Sequence, residues 1–343
     1  QNNWSTAFGD YDGDGFVDMF VANYDIDSLN QLYHNNGDGT FTRITSGNPI
    51  VTDIAPSTSG VWGDYDNDGD LDILLTGNND KNVQKPISKI YRNNGNNTFT
   101  DINAGLTGVW ASSAAWGDYD NDGDLDVLIT GALSFDSQIS EIYRNNGDDT
   151  FTNINAGLIG VTYCSVAWGD YDNDGDLDVL ITGNMLNTGI SKIYRNNGDA
   201  TFTDINAGLQ AAKASSAAWG DYDNDGDLDV LLAGKSAATF SPSFSRIYRN
   251  DGNSIFTNIE LGLPENYSTS VAWGDYDNDG DLDALFVGIG GNQTKIFTNN
   301  NTQSNSVPSS PTNLNAVLDG NQVTLSWSAS TDVETPSSGL SYN

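Results

Sequence analysis

The sequence predicts an all-β chain folded as a β-propeller of four-stranded blades, and three observations carry that prediction. An acidic signature recurs six times at near-constant spacing. A second signature sits at a fixed place inside five of the same units. Between them no apolar period of 3.6 residues survives, so helix content should be near zero.

The acidic signature reads FGDYDGDGFVD from Phe8, then WGDYDNDGDLD from Trp62, Trp116, Trp168, Trp219 and Trp273. Its first aspartates are Asp10, Asp64, Asp118, Asp170, Asp221 and Asp275, which sets a unit of 51 to 54 residues. A repeat of that length is one supersecondary unit, stabilised by stacking on its neighbours.

Taken in chain order, each unit offers a short strand ending in the aromatic-Gly pair and a second in runs such as LDVLIT. A third and fourth come from the inner signature: LYHNNGDGTFT from Leu32, IYRNNGNNTFT from Ile90, IYRNNGDDTFT from Ile142, IYRNNGDATFT from Ile193 and IYRNDGNSIFT from Ile247. In the sixth unit it decays to IFTNNNT from Ile296. These stretches are rich in Val, Ile, Tyr, Phe and Thr, and the Asn-Asn-Gly clusters supply the positive φ that tight hairpins need. Four antiparallel strands per unit describe a propeller blade, whereas a parallel solenoid has a much shorter coil. Six blades is the simplest count. A seventh would have to be divergent beyond recognition or built from residues outside this chain, because nine residues precede Asp10.

Composition narrows the function. The 343 residues carry 13 Lys and Arg against 47 Asp and Glu, a formal charge of −34. So acidic a surface repels phosphate backbones and anionic membrane surfaces, which argues against nucleic-acid binding. No run reaches the 18 or more apolar residues of a spanning helix, so no membrane insertion is expected. The chain opens at Gln1 without a basic-then-apolar leader, and any export signal is expected to be already gone. The single Cys164 excludes an intramolecular disulfide, so something other than cystine must fasten the loops.

The acidic loops supply a fastener. Each places carboxylates at positions 1, 3, 5 and 9 around a Gly at position 6, with position 7 offering its backbone carbonyl. The candidate ligands are therefore Asp10, Asp12, Asp14, Phe16 and Asp18 in the first copy, and Asp64, Asp66, Asp68, Asp70 and Asp72 in the second. Asp118, Asp120, Asp122, Asp124 and Asp126 form the third set, and Asp170, Asp172, Asp174, Asp176 and Asp178 the fourth. The last two sets are Asp221, Asp223, Asp225, Asp227 and Asp229, and Asp275, Asp277, Asp279, Asp281 and Asp283. Oxygen-only ligands in a flexible loop select Ca²⁺ over zinc or copper, and over Mg²⁺ with its rigid octahedron. Position 12, Leu75 in the second copy, excludes an EF-hand, which needs Glu there. About six Ca²⁺, one per repeat, are expected, and they would bring −34 to −22.

The DxDxDGxxD loop in all six copies, preceded by Phe8-Gly9 or Trp-Gly, resembles FG-GAP or VCBS-type repeats, the calcium-binding blades of integrin α-subunit propellers. The resemblance spans about residues 4 to 300. The Gly-Ala-Pro half of the family name has no counterpart; Gly131-Ala132-Leu133 is nearest. From Asn301 a Ser/Asn/Pro-rich linker runs to Pro311. The stretch after it, with Leu314, Val317, Val323, Leu325 and Trp327 alternating about an Asp319-Gly320 turn, resembles the opening strands of a fibronectin type III domain. The expected division is a propeller over 1–300, a linker over 301–311 and a truncated β-sandwich segment over 312–343 of a longer modular protein.

Other repeated residues read as structural. The five Trp of the acidic signature suit inter-blade packing better than sugar stacking, while Trp4 and Trp110 break the repeat and are candidates for exposed contact. Arg92, Arg144, Arg195 and Arg249 share one slot and are expected to pair with an Asp of their own or a neighbouring blade; His34 fills that slot in the first unit. Cys164 takes a strand position otherwise small and polar.

The expected function is that of an extracellular or cell-surface calcium-binding module without catalysis, serving adhesion, glycan or protein binding, or surface assembly through self-association. The alternatives are a propeller-based polysaccharide lyase or glycosidase, and a structural subunit of an extracellular fibre or layer. An enzyme should break repeat symmetry with a carboxylate pair, and Glu141, Glu260 and Glu265, the only Glu of the propeller, show no pairing in sequence.

Overall fold

The computed structural model describes residues 5–22, 30–52, 57–78, 85–186, 188–236, 243–263, 270–289, 293–300, 309–319, 322–328 and 330. Trp4, Glu265, most of the linker and half of the C-terminal segment lie outside these residues.

The strands fall where the repeat places them. The first blade is β1 (Ser5–Gly9), β2 (Asp18–Ala22), β3 (Gln31–Asn35) and β4 (Phe41–Ile44), followed by α1 (Pro49–Thr52), a single helical turn. The second is β5 (Ser57–Gly63), β6 (Asp72–Asn78), β7 (Pro86–Asn93) and β8 (Phe99–Asp101), and the third β9 (Trp110–Gly117), β10 (Asp126–Ser134), β11 (Ser137–Asn145) and β12 (Phe151–Asn153). The fourth contains β13 (Thr162–Gly169), β14 (Asp178–Met185), β15 (Thr188–Asn196) and β16 (Phe202–Asp204), and the fifth β17 (Ala212–Gly220), β18 (Asp229–Ser236), β19 (Ser243–Asn250) and β20 (Phe256–Ile259). The sixth has three strands among the described residues, β21 (Ser270–Gly274), β22 (Asp283–Ile289) and β23 (Gln293–Phe297). Its inner signature lacks the Phe-Thr pair that starts a fourth strand elsewhere. A separate hairpin, β24 (Thr312–Asp319) with β25 (Gln322–Ser328), closes the order.

Every blade is an antiparallel meander in sequence order. The first strands contact one another from blade to blade, β1 to β5, β5 to β9, β9 to β13, β13 to β17 and β17 to β21, which makes them the inner strands of a six-bladed propeller. The second strands explain why their sequences run apolar without alternation. Covered on both faces by neighbouring blades, β6 and β10 are buried along most of their length.

Each seam repeats one aromatic cluster. The Tyr at loop position 2 stacks on the Trp of the following blade, in Tyr11–Trp62, Tyr65–Trp116, Tyr119–Trp168 and Tyr171–Trp219 at 6.1 to 6.4 Å and 9 to 12°. A Phe from the following blade's fourth strand tilts against both, as Phe99 does on Tyr11 and Trp62. The last seam has no such Phe, and Tyr222 and Trp273 open to 35°. Glycine is required where the Trp crosses the preceding strand: a Cβ on Gly117 would stand 2.6 Å from Trp168. These contacts place the five Trp in the packing, as their repetition implies.

The two outer faces keep this chemistry without a covering blade among the described residues. Tyr276 is 67% exposed and Phe8, in the Trp slot, is 63% exposed, whereas their counterparts inside the stack are buried or half-buried. Ile296 is likewise open, although Leu32, Ile90, Ile142 and Ile193 at the same position are fully covered.

Candidate metal centres in the blade loops

The loops joining the first and second strands of the blades lie at one end of the propeller, because every blade makes the same connection. Their shape comes from the aspartates. In the second blade the Asp64 carboxylate at position 1 accepts the backbone N–H of Asp68 at 3.1 Å and of Gly69 at 3.0 Å. Asp68 accepts from the N–H of Asp70 at 2.9 Å. Asn67 takes a left-handed φ of 57° and Gly69 one of 93°, which reverse the chain within the loop. The same bonds recur from Asp10, Asp118, Asp170, Asp221 and Asp275.

Position 9 is the buried anchor. Asp72 accepts the N–H of Tyr65 at 3.1 Å and of Asn93 at 2.7 Å, tying the loop to the end of the third strand. Asp18, Asp126, Asp178, Asp229 and Asp283 do the same in their blades. Burial pushes four of these carboxyls up, to about 7 at Asp72 and Asp126 and about 8 at Asp178 and Asp229, although the backbone N–H groups pull the other way. Asp223 at position 3 of the fifth loop is raised too, to about 6, first by burial and then by the neighbouring carboxylates.

In the first four loops, sequence-predicted ligands come together. Carboxylate oxygens of Asp64, Asp66 and Asp72, of Asp170, Asp172 and Asp178, and of Asp10, Asp12 and Asp14 lie within 4.8 Å of one another in each group, as do those of Asp118, Asp120 and Asp122. Such crowding of like charge is unfavourable without a cation, and an all-oxygen donor set on a glycine-bent loop fits Ca²⁺. At position 7 the Asp side chains do something else. Asp124, Asp176, Asp227 and Asp281 accept from Asn67, Asn121, Asn173 and Asn224 of the preceding blade at 2.7 to 2.9 Å. Their backbone carbonyls are what they could offer an ion.

Sequence reasoning missed two sets of residues. One is that Asn at position 4. The other ends the third strand: the Asn93 amide donates to the Tyr11 carbonyl of the preceding blade at 2.7 Å, and Asn145, Asn196, Asn250 and Asn299 repeat it at 2.7 to 2.8 Å. Both recur in register across the copies, which was the available signal; they read as turn residues because Asn favours turns.

The arginine slot behaves less uniformly than expected. Arg92 pairs with Asp149 of the next blade at 3.0 Å and Arg249 with Asp251 of its own at 2.6 Å. Arg144 and Arg195 instead donate to Asn146 and Asn197 at 3.3 Å, the Asn that holds the following turn. Cys164 is half-buried, its thiol pushed up to about 12 by desolvation. Trp110 is half-buried and makes an edge contact with Phe135 at 5.8 Å.

The FG-GAP-like repeat matches this chain over residues 10–75, 64–129, 132–181, 183–232 and 236–286, most of its length. No curated protein matches the chain. Among solved structures, a lectin from Agrocybe aegerita, described for specific recognition of non-reducing terminal N-acetylglucosamine, is similar at a TM-score of 0.52 and 19% identity. That match covers 88% of this chain and 81% of the lectin, a likeness of fold. An exo-beta-1,3-galactanase from Phanerochaete chrysosporium, with beta-1,3-galactotriose, matches at a TM-score of 0.38 and 10% identity over 93% of this chain and 84% of that one.

Proposed function

This chain belongs to the FG-GAP-like repeat family, and on that premise we propose that it is a calcium-stapled, non-catalytic recognition module of the extracellular space or cell surface, with a glycan or protein ligand. The observation that carries the reading is the position-9 aspartate, buried in every blade and tying the loop to the third strand, beside the crowded carboxylates of the first four loops. Calcium bound there would be a fastener for the fold, in a chain without disulfides. Extracellular modules bind Ca²⁺ at roughly 10⁻⁴ to 10⁻³ M, a range that external calcium fills and cytosolic calcium does not.

With one end of the propeller committed to metal, the opposite end is the place for a ligand. There the second-to-third strand connections vary in sequence and expose Phe135, at 78%, and Leu186. Tyr163 is exposed on the neighbouring inner strand, and Trp110 lies against Phe135. Flat aromatic and apolar groups of this kind suit the faces of sugar rings.

The non-catalytic part is supported by the engagement of the Glu residues within the described structure. Glu141 accepts from Tyr143 at 2.6 Å and Glu260 from Asn258 at 3.1 Å, each on its own strand or turn. A glycan array probed with the wild type and with Phe135→Ala tests the reading. Calcium-dependent binding weakened about tenfold or more by the substitution is expected; binding indifferent to it would place the ligand elsewhere, and sugar cleavage would overturn the non-catalytic assignment.

A further inference from the structure

The first loop differs from the other five in the group that faces it, and we propose that it is a mixed nitrogen and oxygen site for a first-row transition cation of the Zn²⁺ type, with His34 as its distinguishing ligand. The proposal deepens the calcium reading, since the other five loops offer oxygen alone.

His34 is the penultimate residue of β3, in the slot that holds Arg in blades two to five. Its Nδ1 lies 2.9 Å from Asp12 Oδ2 and 3.5 Å from Asp18 Oδ1, while Nε2 faces Asp14 Oδ2 at 3.9 Å. The three donors Asp12, Asp18 and His34 lie within 4.8 Å of one another. Two buried atoms at this point make no hydrogen bond: His34 Nδ1, despite its closeness to Asp12, and Asp12 Oδ1, on a side chain only 8% exposed. An imidazole serving only as counter-ion would aim its N–H at a carboxylate oxygen. Here the ring nitrogen and the carboxylates converge on a shared space instead.

The spacing suits a small ion. Ligand bonds of about 2.0 to 2.1 Å in a tetrahedral shell set neighbouring donors about 3.3 Å apart, between the 2.9 Å and 3.5 Å that separate His34 Nδ1 from the Asp12 and Asp18 oxygens. Ca²⁺, with bonds of about 2.3 to 2.6 Å, prefers oxygen, whereas imidazole suits zinc, copper and nickel. The second nitrogen, facing Asp14, is where an outer carboxylate orients a metal-bound histidine. The loop is less acidic as well: Gly13 and Phe16 stand where the others carry Asn and Asp, so it offers four carboxylates rather than five.

His34 is the only histidine of the chain, so its imidazole gives one set of NMR signals. The test takes the untagged full chain in saturating Ca²⁺ and adds Zn²⁺ while the ¹⁵N imidazole resonances are followed. One equivalent is expected to move Nδ1 into a metal-bound position and to abolish its acid titration. His34→Arg, which restores the residue of the other blades, should leave calcium binding and melting in place but weaken zinc binding by more than about tenfold, a loss even an outer-shell partner can produce. Arg144→His should add a second zinc equivalent. An imidazole that titrates unchanged with zinc present, or equal zinc affinity in wild type and His34→Arg, would overturn the site. Calcium stoichiometry read on the same samples keeps the two readings apart: a chain that binds no calcium refutes the stapled module, and one that binds calcium with a silent histidine refutes this inference alone.

Discussion

At the scale of single residues, the molecule turns on an aspartate that is buried and yet meant to be charged. Asp72, Asp126, Asp178 and Asp229 sit in the fold with carboxyls raised to about 7 or 8, because desolvation outweighs two backbone hydrogen bonds each. Their unfolded values lie near 3.9, so between that pH and about 8 the metal-free folded state holds more protons than the unfolded chain. Stability must then fall as pH rises through this window, the reverse of the usual aspartate behaviour. Calcium bound as proposed would supply the missing positive charge and should remove the slope. Melting curves in chelator are expected to show a higher Tm at pH 5 than at pH 8, with the difference flattened or inverted in millimolar Ca²⁺. A chelated protein whose Tm rises over the same interval would mean that these carboxylates are already compensated within the chain.

At the scale of elements, the seam between blades is the unit of stability. Tyr119 is buried against Trp168 and Phe202 and exemplifies the repeated stack, whereas Tyr276 holds the same place on the last blade and is open. Truncating a buried aromatic costs about 3 to 5 kcal/mol, and an exposed one about 0.5 kcal/mol or less. Urea denaturation of Tyr119→Ala and Tyr276→Ala should show that contrast. Equal losses would mean that Tyr276 is covered in solution. The seams also separate what was legible in the sequence from what was not. The Trp was readable as packing because it recurs, and the acidic loop was readable as a cation cage because hard-cation chemistry fixes ligand type and spacing. The partners across a seam were not: Asn93 reaches the Tyr11 carbonyl 82 residues earlier, and nothing local in Tyr-Arg-Asn-Asn-Gly distinguishes that role from a turn. That the sixth blade shows three strands among the described residues was half-legible, since the decay from TFT to TNNNT removes both the apolar residue and the β-former.

At the scale of the whole molecule, the seams are linked only through neighbours, so the propeller should lose stability in proportion to how many seams a damaged blade holds. The third blade lies between two complete seams, with Trp116 stacked on Tyr65 on one side and Tyr119 stacked on Trp168 on the other. Its loop also makes latches in both directions, Asn67 to Asp124 and Asn121 to Asp176. The sixth blade has one seam among the described residues, and that one is opened by the missing Phe. Binding at ten times Kd stabilises by about 1.4 kcal/mol per site, so removing one ion is a small perturbation whose reach depends on its position. Asp122→Ala and Asp279→Ala each delete the position-5 carboxylate of one loop. In hydrogen exchange with calcium present, Asp122→Ala is expected to deprotect β10 and β14 together, because its loop is latched to the next blade. Asp279→Ala should deprotect β22 while leaving β14 untouched. Matching exchange in the two variants would mean that the blades unfold as one block, and that calcium acts on the ring as a whole and not blade by blade.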